Sequence, residues 1–219
     1  MELLLSSHEV RVLGSLLEKE LTTPEYYPLT INSLIAACNQ KSNRDPVMTL
    51  SENDVRTAMD LLRGKRLAWE MNLSGSRVPK YEHNLPAKFA FTQQESSVLC
   101  ILMLRGPCTP GEIRVCSGRM YAFKDLAEVE ETLQGLTEKE NGPFVAKLSV
   151  QPGKKEHRYA HLFSGEPPST PDVALHVESA PSGQSPGERI VALEERITMV
   201  TDDLINLKQA FEEFKKSFE

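Results

Sequence analysis

Arginine and asparagine side chains can read base edges in a DNA groove, and lysine neutralises phosphate. This sequence carries both kinds in clusters. Arg56, Arg63, Lys65 and Arg66 fall on or just after one helical stretch, Lys41, Asn43 and Arg44 lie in the polar loop before it, and Arg77 and Lys80 sit on a strand pair after it. A second possible surface gathers Arg105, Arg114 and Arg119, with Lys154, Lys155 and Arg158 further along. The opposing reading is an ordinary solvated face, because Asp54, Asp60 and Glu70 interleave with the first set and residues 1–84 hold 10 basic against 11 acidic side chains.

Other chemistry finds less support. His8, His83, His157, His161 and His176 form no metal-ligand spacing, no Gly-x-Ser-x-Gly elbow is present, and no glycine-rich loop precedes a Lys-Ser or Lys-Thr pair. Cys38, Cys100, Cys108 and Cys116 contain no Cys-x-x-Cys pair, so they read as buried or incidental thiols. The sequence therefore points to a non-enzyme, with no active site, metal or cofactor.

The 219 residues, 40% hydrophobic, are enough for one or two domains with a real core. Residues 1–163 carry 20 basic and 20 acidic side chains, while residues 164–219 carry 5 and 11, so the net charge of −6 belongs to the tail. An acidic chain of this kind does not exclude phosphate contact by its front part, which depends on local clusters. Met1–His8 lacks the basic and apolar regions of a signal peptide, and no stretch approaches the roughly 18 apolar residues of a membrane span. The expectation is a cytoplasmic protein with no membrane partner.

The elements that must position the basic residues are written twice. Ser6 with Glu9 and Thr92 with Glu95 both fit a capping box, and Val12, Leu13 and Leu16 recur as Val98, Leu99 and Leu102 at an offset of 86. Further on, Val55, Met59 and Leu62 recur as Val129, Leu133 and Leu136 at an offset of 74, behind start signals at Ser51 and Asp125. The first copy thus has 12 extra residues, which the stretch around Lys41–Pro46 can hold. Middle helices start at Thr30 and at Thr109-Pro110, and each third helix is followed by two strand-like runs around a polar turn, Ser74–Ser76 in one copy and Pro152-Gly153 in the other.

Three helices and a hairpin is the order of a winged helix. The fold expected is mainly α with small β hairpins (α+β): a winged-helix domain over 1–84 and a second over 85–163. A flexible linker over 164–187 follows, rich in proline, serine and glycine. Residues 188–219 close the chain as a helix whose Ile190, Leu193, Ile197, Val200, Leu204, Leu207, Phe211, Phe214 and Phe218 alternate steps of three and four. That stripe predicts a coiled coil and a homo-oligomer through residues 190–218. The alternative is an amphipathic helix folded back on its own domains.

Three segments carry a family resemblance. Tyr26–Leu34 leading into Ala37–Val47, then Gly75–His83, then Leu104–Arg114 with Ser117–Met120, resemble the bacterial YceH-like family over roughly residues 5–163. The resemblance implies a tandem winged-helix fold in a bacterial cytoplasmic protein, and brings no activity or functional residue with it.

Two functions follow. The first is DNA binding, with transcriptional regulation, through the third helix and wing of the first domain. The second is a protein-protein scaffold of tandem winged helices, as in chromosome-segregation subunits. The third helix of the second copy exposes Glu128, Glu130, Glu131 and Glu138, so a protein partner suits that domain better than a groove. A continuous positive stripe through Lys41–Arg44, Arg56, Arg63 and Arg77 would favour DNA; a neutral face with an apolar patch would favour a protein.

Overall fold

Every helix start predicted from hydroxyl and carboxylate spacing is occupied by a helix. α1 (Ser7–Thr22), α3 (Glu52–Gly64), α5 (Gln93–Arg105) and α6 (Pro110–Ser117) each begin with a reciprocal capping box, at Ser6/Glu9, Ser51/Asp54, Thr92/Glu95 and Thr109/Glu112. The shorter Asp54 completes its box as well as a glutamate does, with Ser51 N donating to Oδ2 at 2.8 Å. Thr30 caps α2 (Ile31–Cys38) and Asp125 caps α7 (Leu126–Glu138), each through its side chain alone. Glu128 leaves the Asp125 cap half-made, because its carboxylate accepts instead from Lys124 N and the Tyr121 hydroxyl.

The computed structural model describes residues 4–72, 78–150, 153 and 156–166. Most of the linker expected at 164–187 and the whole helix expected at 188–219 lie outside the described residues, as do Arg77, Lys154 and Lys155. Among the described residues the fold is α+β, with seven helices and two small antiparallel sheets.

In the first repeat, β2 (Ala68–Met71) pairs with β3 (Lys80–His83), and β3 pairs on its other side with a two-residue strand, β1 (Leu29–Thr30). In the second, β4 (Val145–Lys147) pairs with β5 (Tyr159–His161). The short α4 (Leu85–Phe89) joins the repeats. Both hairpins fall where alternating apolar residues predict them, but the paired lengths are shorter than the runs.

The placement of the 12 extra residues is a correction. The middle-helix caps, Thr30 and Thr109, are 79 positions apart, so seven of the twelve precede the middle helix and only five follow it in the polar loop. The segment before the middle helix holds a 3-10 turn, Pro24–Tyr26, and β1. Its apolar Leu29 is buried opposite Tyr81, which gives the extra chain a reason to stay on the sheet rather than in a loop.

One continuous apolar core runs through both repeats. Its centre is the packing of α1 on α5. Gly14 lets the two helices approach: a Cβ there would stand 3.0 Å from Leu104 Cδ2 and 3.1 Å from Met103 Cβ. Cys100, which is Gly14 displaced by the repeat offset of 86, directs its thiol to Gly14 O at 3.7 Å. All four cysteines are free; Cys38, Cys100 and Cys108 are buried, and burial pushes the Cys38 and Cys108 thiols up to about 11. Thiols held protonated in this way behave as small apolar groups.

Two outcomes follow from this packing. Gly14→Val overfills the α1/α5 contact and should cost about 1–3 kcal/mol of stability, read as a lower urea midpoint at unchanged slope; an unchanged midpoint would show that the two helices need no close approach. Burial holds the His161 imidazole down at about 4 against an ordinary 6.5, with Nδ1 unpaired. The unfolded chain therefore takes up a proton that the folded chain refuses, and stability is lost as pH falls from about 6.5 towards 4, by up to about 3 kcal/mol. His161→Leu should flatten that part of the pH profile, read by urea unfolding at each pH.

Candidate functional site

The basic residues of the first repeat divide into three groups once they are placed. Arg44 is a structural residue. Its side chain is fully buried, its guanidinium grips Glu18 through two bonds of 2.6 and 3.1 Å, and it also donates to Ala37 O and Gln40 Oε1. Burial alone would raise the Glu18 carboxyl, but Arg44 outweighs it and holds the group below the usual range. Arg44 is therefore withdrawn from the set that can reach a ligand, because its charge is spent inside the protein.

The second group is exposed but already paired. On α3, Arg56 meets Glu52 at 2.8 Å, and Arg63 meets Asp60 at 3.2 Å and Glu70 of β2 at 3.0 Å. Glu52, Asp54 and Asp60 on this helix outnumber its two arginines. Lys65 turns inward to the Glu9 carboxylate and Leu4 O. The helix meant to enter the groove therefore carries no excess positive charge. The exposed side chains between these pairs include Leu61, and the adjoining hairpin exposes Trp69, 41% accessible and the chain's single tryptophan. The β2/β3 register places Trp69 opposite Glu82 and Met71 opposite Lys80 on one face of the sheet, away from buried Tyr81 and His83.

The third group comprises Lys41, Asn43, Arg66 and Lys80. Arg66 is exposed in the left-handed region (φ 57°) and Lys80 is half-buried on β3. Lys41 and Asn43 stand in the loop after α2, and there they meet the second repeat. Arg105 Nη1 donates to Asn43 Oδ1 at 2.9 Å, and Asp45 N donates to Leu104 O at 2.9 Å. Asn43 adopts φ 57°, a conformation asparagine tolerates better than most residues.

Of the second surface, Arg105 and Arg119 join Lys41 and Asn43 in one cavity of about 460 Å³. Lys19 lines it too. No charge cluster in the sequence marks Lys19, but the repeat does: Lys19 and Arg105 are 86 apart, and Gln40 and Arg119 are 79 apart, so the walls are equivalent positions of the two copies. The remaining arginines are tied elsewhere. Arg114 donates to Lys124 O at 2.8 Å, and Arg158 spans Pro107 O and Glu112 at 2.6 and 2.9 Å. The acidic side chains of α7, Glu130, Glu131 and Glu138, are exposed as their helical spacing predicts, while Glu128 is half-buried against Tyr121.

No helix among the described residues is long and apolar enough to cross a membrane. Residues 5–154 match the family described as "Protein of unknown function, DUF480". The chain is 50% identical over 219 residues to a UPF0502 protein of Citrifermentans bemidjiense, covering the whole of both. It is 48% identical over 225 residues to a UPF0502 protein of Geobacter sulfurreducens, again over both full lengths. Against one of Aliivibrio fischeri the identity is 45% over 215 residues, 96% of this chain and 94% of the relative. Agreement of this extent, reaching from the capped helices through the tail, places the chain in the bacterial DUF480 family.

Proposed function

We propose that the protein is a non-enzymatic adaptor, two winged-helix units fused on a common core, whose first unit presents α3 and its hairpin to a protein partner. The carrying observation is the state of the α3 face. Its arginines are matched by Glu52, Asp60 and Glu70, exposed Leu61 lies on the same helix, and the adjoining hairpin exposes Trp69 on the sheet face opposite Glu70. A duplex needs uncommitted cations, whereas a protein surface is served by a near-neutral face with an aromatic anchor. The exposed carboxylates of α7 support the same reading for the second unit.

A second reading, nucleic-acid binding with a regulatory role, has its own support in Lys41, Arg105 and Arg119, which face one cavity without a carboxylate partner among the described residues. On that reading phosphate contact comes from the junction of the repeats, and α3 is not the reader. Self-association through the heptad stripe of residues 190–218 belongs with either reading, since pairing would double a partner face or a phosphate site.

Deleting residues 85–163 would strip α1 of the helix it packs on, so surface substitutions in the full chain are the sound test. Immobilised protein should retain one defined protein from nuclease-treated bacterial extract, in near-stoichiometric yield, and Trp69→Ala should abolish that retention while leaving the circular dichroism spectrum unchanged. Retention of nucleic acid alone, lost in Lys41→Ala/Arg119→Ala and steeply salt-dependent, would transfer the function to the second reading. Sedimentation should report a dimer or larger for the full chain and a monomer once residues 188–219 are removed; a full-length monomer would remove assembly from both readings.

A further inference from the structure

The cavity at the repeat junction has a lining that neither repeat possesses alone. Its volume of about 460 Å³ lies in the range of small-molecule sites. Cys100, Ile101, Leu104 and Met120 supply an apolar floor, and Gln40, Ser42, Asn43 and Thr22 supply neutral donors and acceptors. Around these stand Lys19, Lys41, Arg105 and Arg119.

Glu18 is the only carboxylate in the lining among the described residues, and its charge is met from behind by the two bonds from buried Arg44. Lys19 is 3.5 Å from Glu18 but competes there with a much closer guanidinium. Arg105 is held only by the neutral Asn43 amide oxygen, and Lys41 and Arg119 have no partner among the described residues. Lys41, Arg105 and Arg119 therefore line one half-enclosed space with no carboxylate bonded to them among the described residues, and Lys19 beside them shares Glu18 with Arg44. Like charges gathered over a low-dielectric floor raise the local potential, and an anion seated among them removes the repulsion.

We infer that this junction cavity binds a small organic phosphate, its charged groups held between Arg105, Arg119, Lys41 and Lys19 and its less polar part resting on the Leu104 and Met120 floor. A single carboxylate would engage one guanidinium and leave the other cations facing each other. A phosphate ester or diphosphate carries two or more charges at neutral pH and enough oxygens for a forked arginine and a lysine at once. The cavity is separate from the α3 and Trp69 face, so the inference does not depend on the adaptor reading. Because both repeats supply the lining, a bound ligand would clamp one against the other.

The test uses the full chain and three probes: pyrophosphate, adenosine diphosphate, and a short DNA duplex, each at ionic strength matched with sodium chloride. Calorimetry should give one site for pyrophosphate and adenosine diphosphate with a dissociation constant of about 1 mM or tighter, and both should raise the thermal midpoint. Lys41→Met/Arg119→Met should weaken binding by at least about tenfold, since each loses a charge-assisted contact. These residues are exposed, so the variant should keep the wild-type circular dichroism spectrum. Arg56→Ala, on the paired α3 face, should bind as the wild type does.

Absence of heat and of any midpoint shift at about 10 mM pyrophosphate would overturn the inference. So would equal binding by the double variant. Binding of the duplex alone, with neither small phosphate competing, would assign the cavity to a polymer backbone and would equally overturn it.

Discussion

The contact of α1 with α5 at Gly14 governs the rest of the molecule. Helices meet this closely only where one side chain is missing, and here the missing side chain sits opposite Leu104 and Met103. Gly14 and Cys100 occupy the same position in the two repeats, and each faces the other. The repeats therefore join as two halves of an internal pair, through equivalent surfaces, in the manner of a two-fold dimer fused into one chain. The consequence is a single core rather than two independent ones, so neither repeat has its first helix fully covered without the other.

The cavity follows from that join. Where α1 and α5 lie close, the turns that follow α2 and α6 are brought to the same place, and their equivalent residues become opposite walls. The walls are alike in origin but not in charge. Gln40 corresponds to Arg119 and Lys41 to Met120, so each copy contributes one cation and one neutral residue from its turn, while Lys19 and Arg105 contribute one each from the helices. The repeated geometry forms the space, and the residues that differ between equivalent positions make it basic.

Two buried arginines hold the first wall in place. Arg11, 2% exposed, donates to Cys38 O at 3.1 Å and to Pro46 O at 2.5 Å, and Arg44 ties Ala37 O to Glu18. These bonds satisfy carbonyls at the end of α2 and span the polar loop, fixing where Lys41 and Asn43 stand. Buried guanidiniums are costly unless their donors are used, and both reach main-chain oxygens, Arg11 through Nη1 and Nη2 with its Nε left unpaired. The polar loop around Lys41–Pro46 is thus a braced element, with its positive charge divided between support inside and display outside.

Local sequence chemistry determined the elements. Helix starts at Ser6, Thr30, Ser51, Thr92, Thr109 and Asp125, the order of helices and hairpins, and the duplication itself are all written in caps and apolar spacing, because those signals act within a few residues of chain. The pairing of Arg56 with Glu52 and of Arg63 with Asp60 follows from helical spacing already present in the sequence, which interleaves acids with these arginines. The tertiary structure alone withdrew Arg44, which looks as free as Lys41 and Arg119 in the sequence but whose partner Glu18 lies 26 positions away. It also brought Lys41 and Arg119, 78 positions apart, into one cavity. Charge pairing depends on distances through space, and the meeting of Lys41 with Arg119 was set by the close approach of α1 to α5 that Gly14 permits.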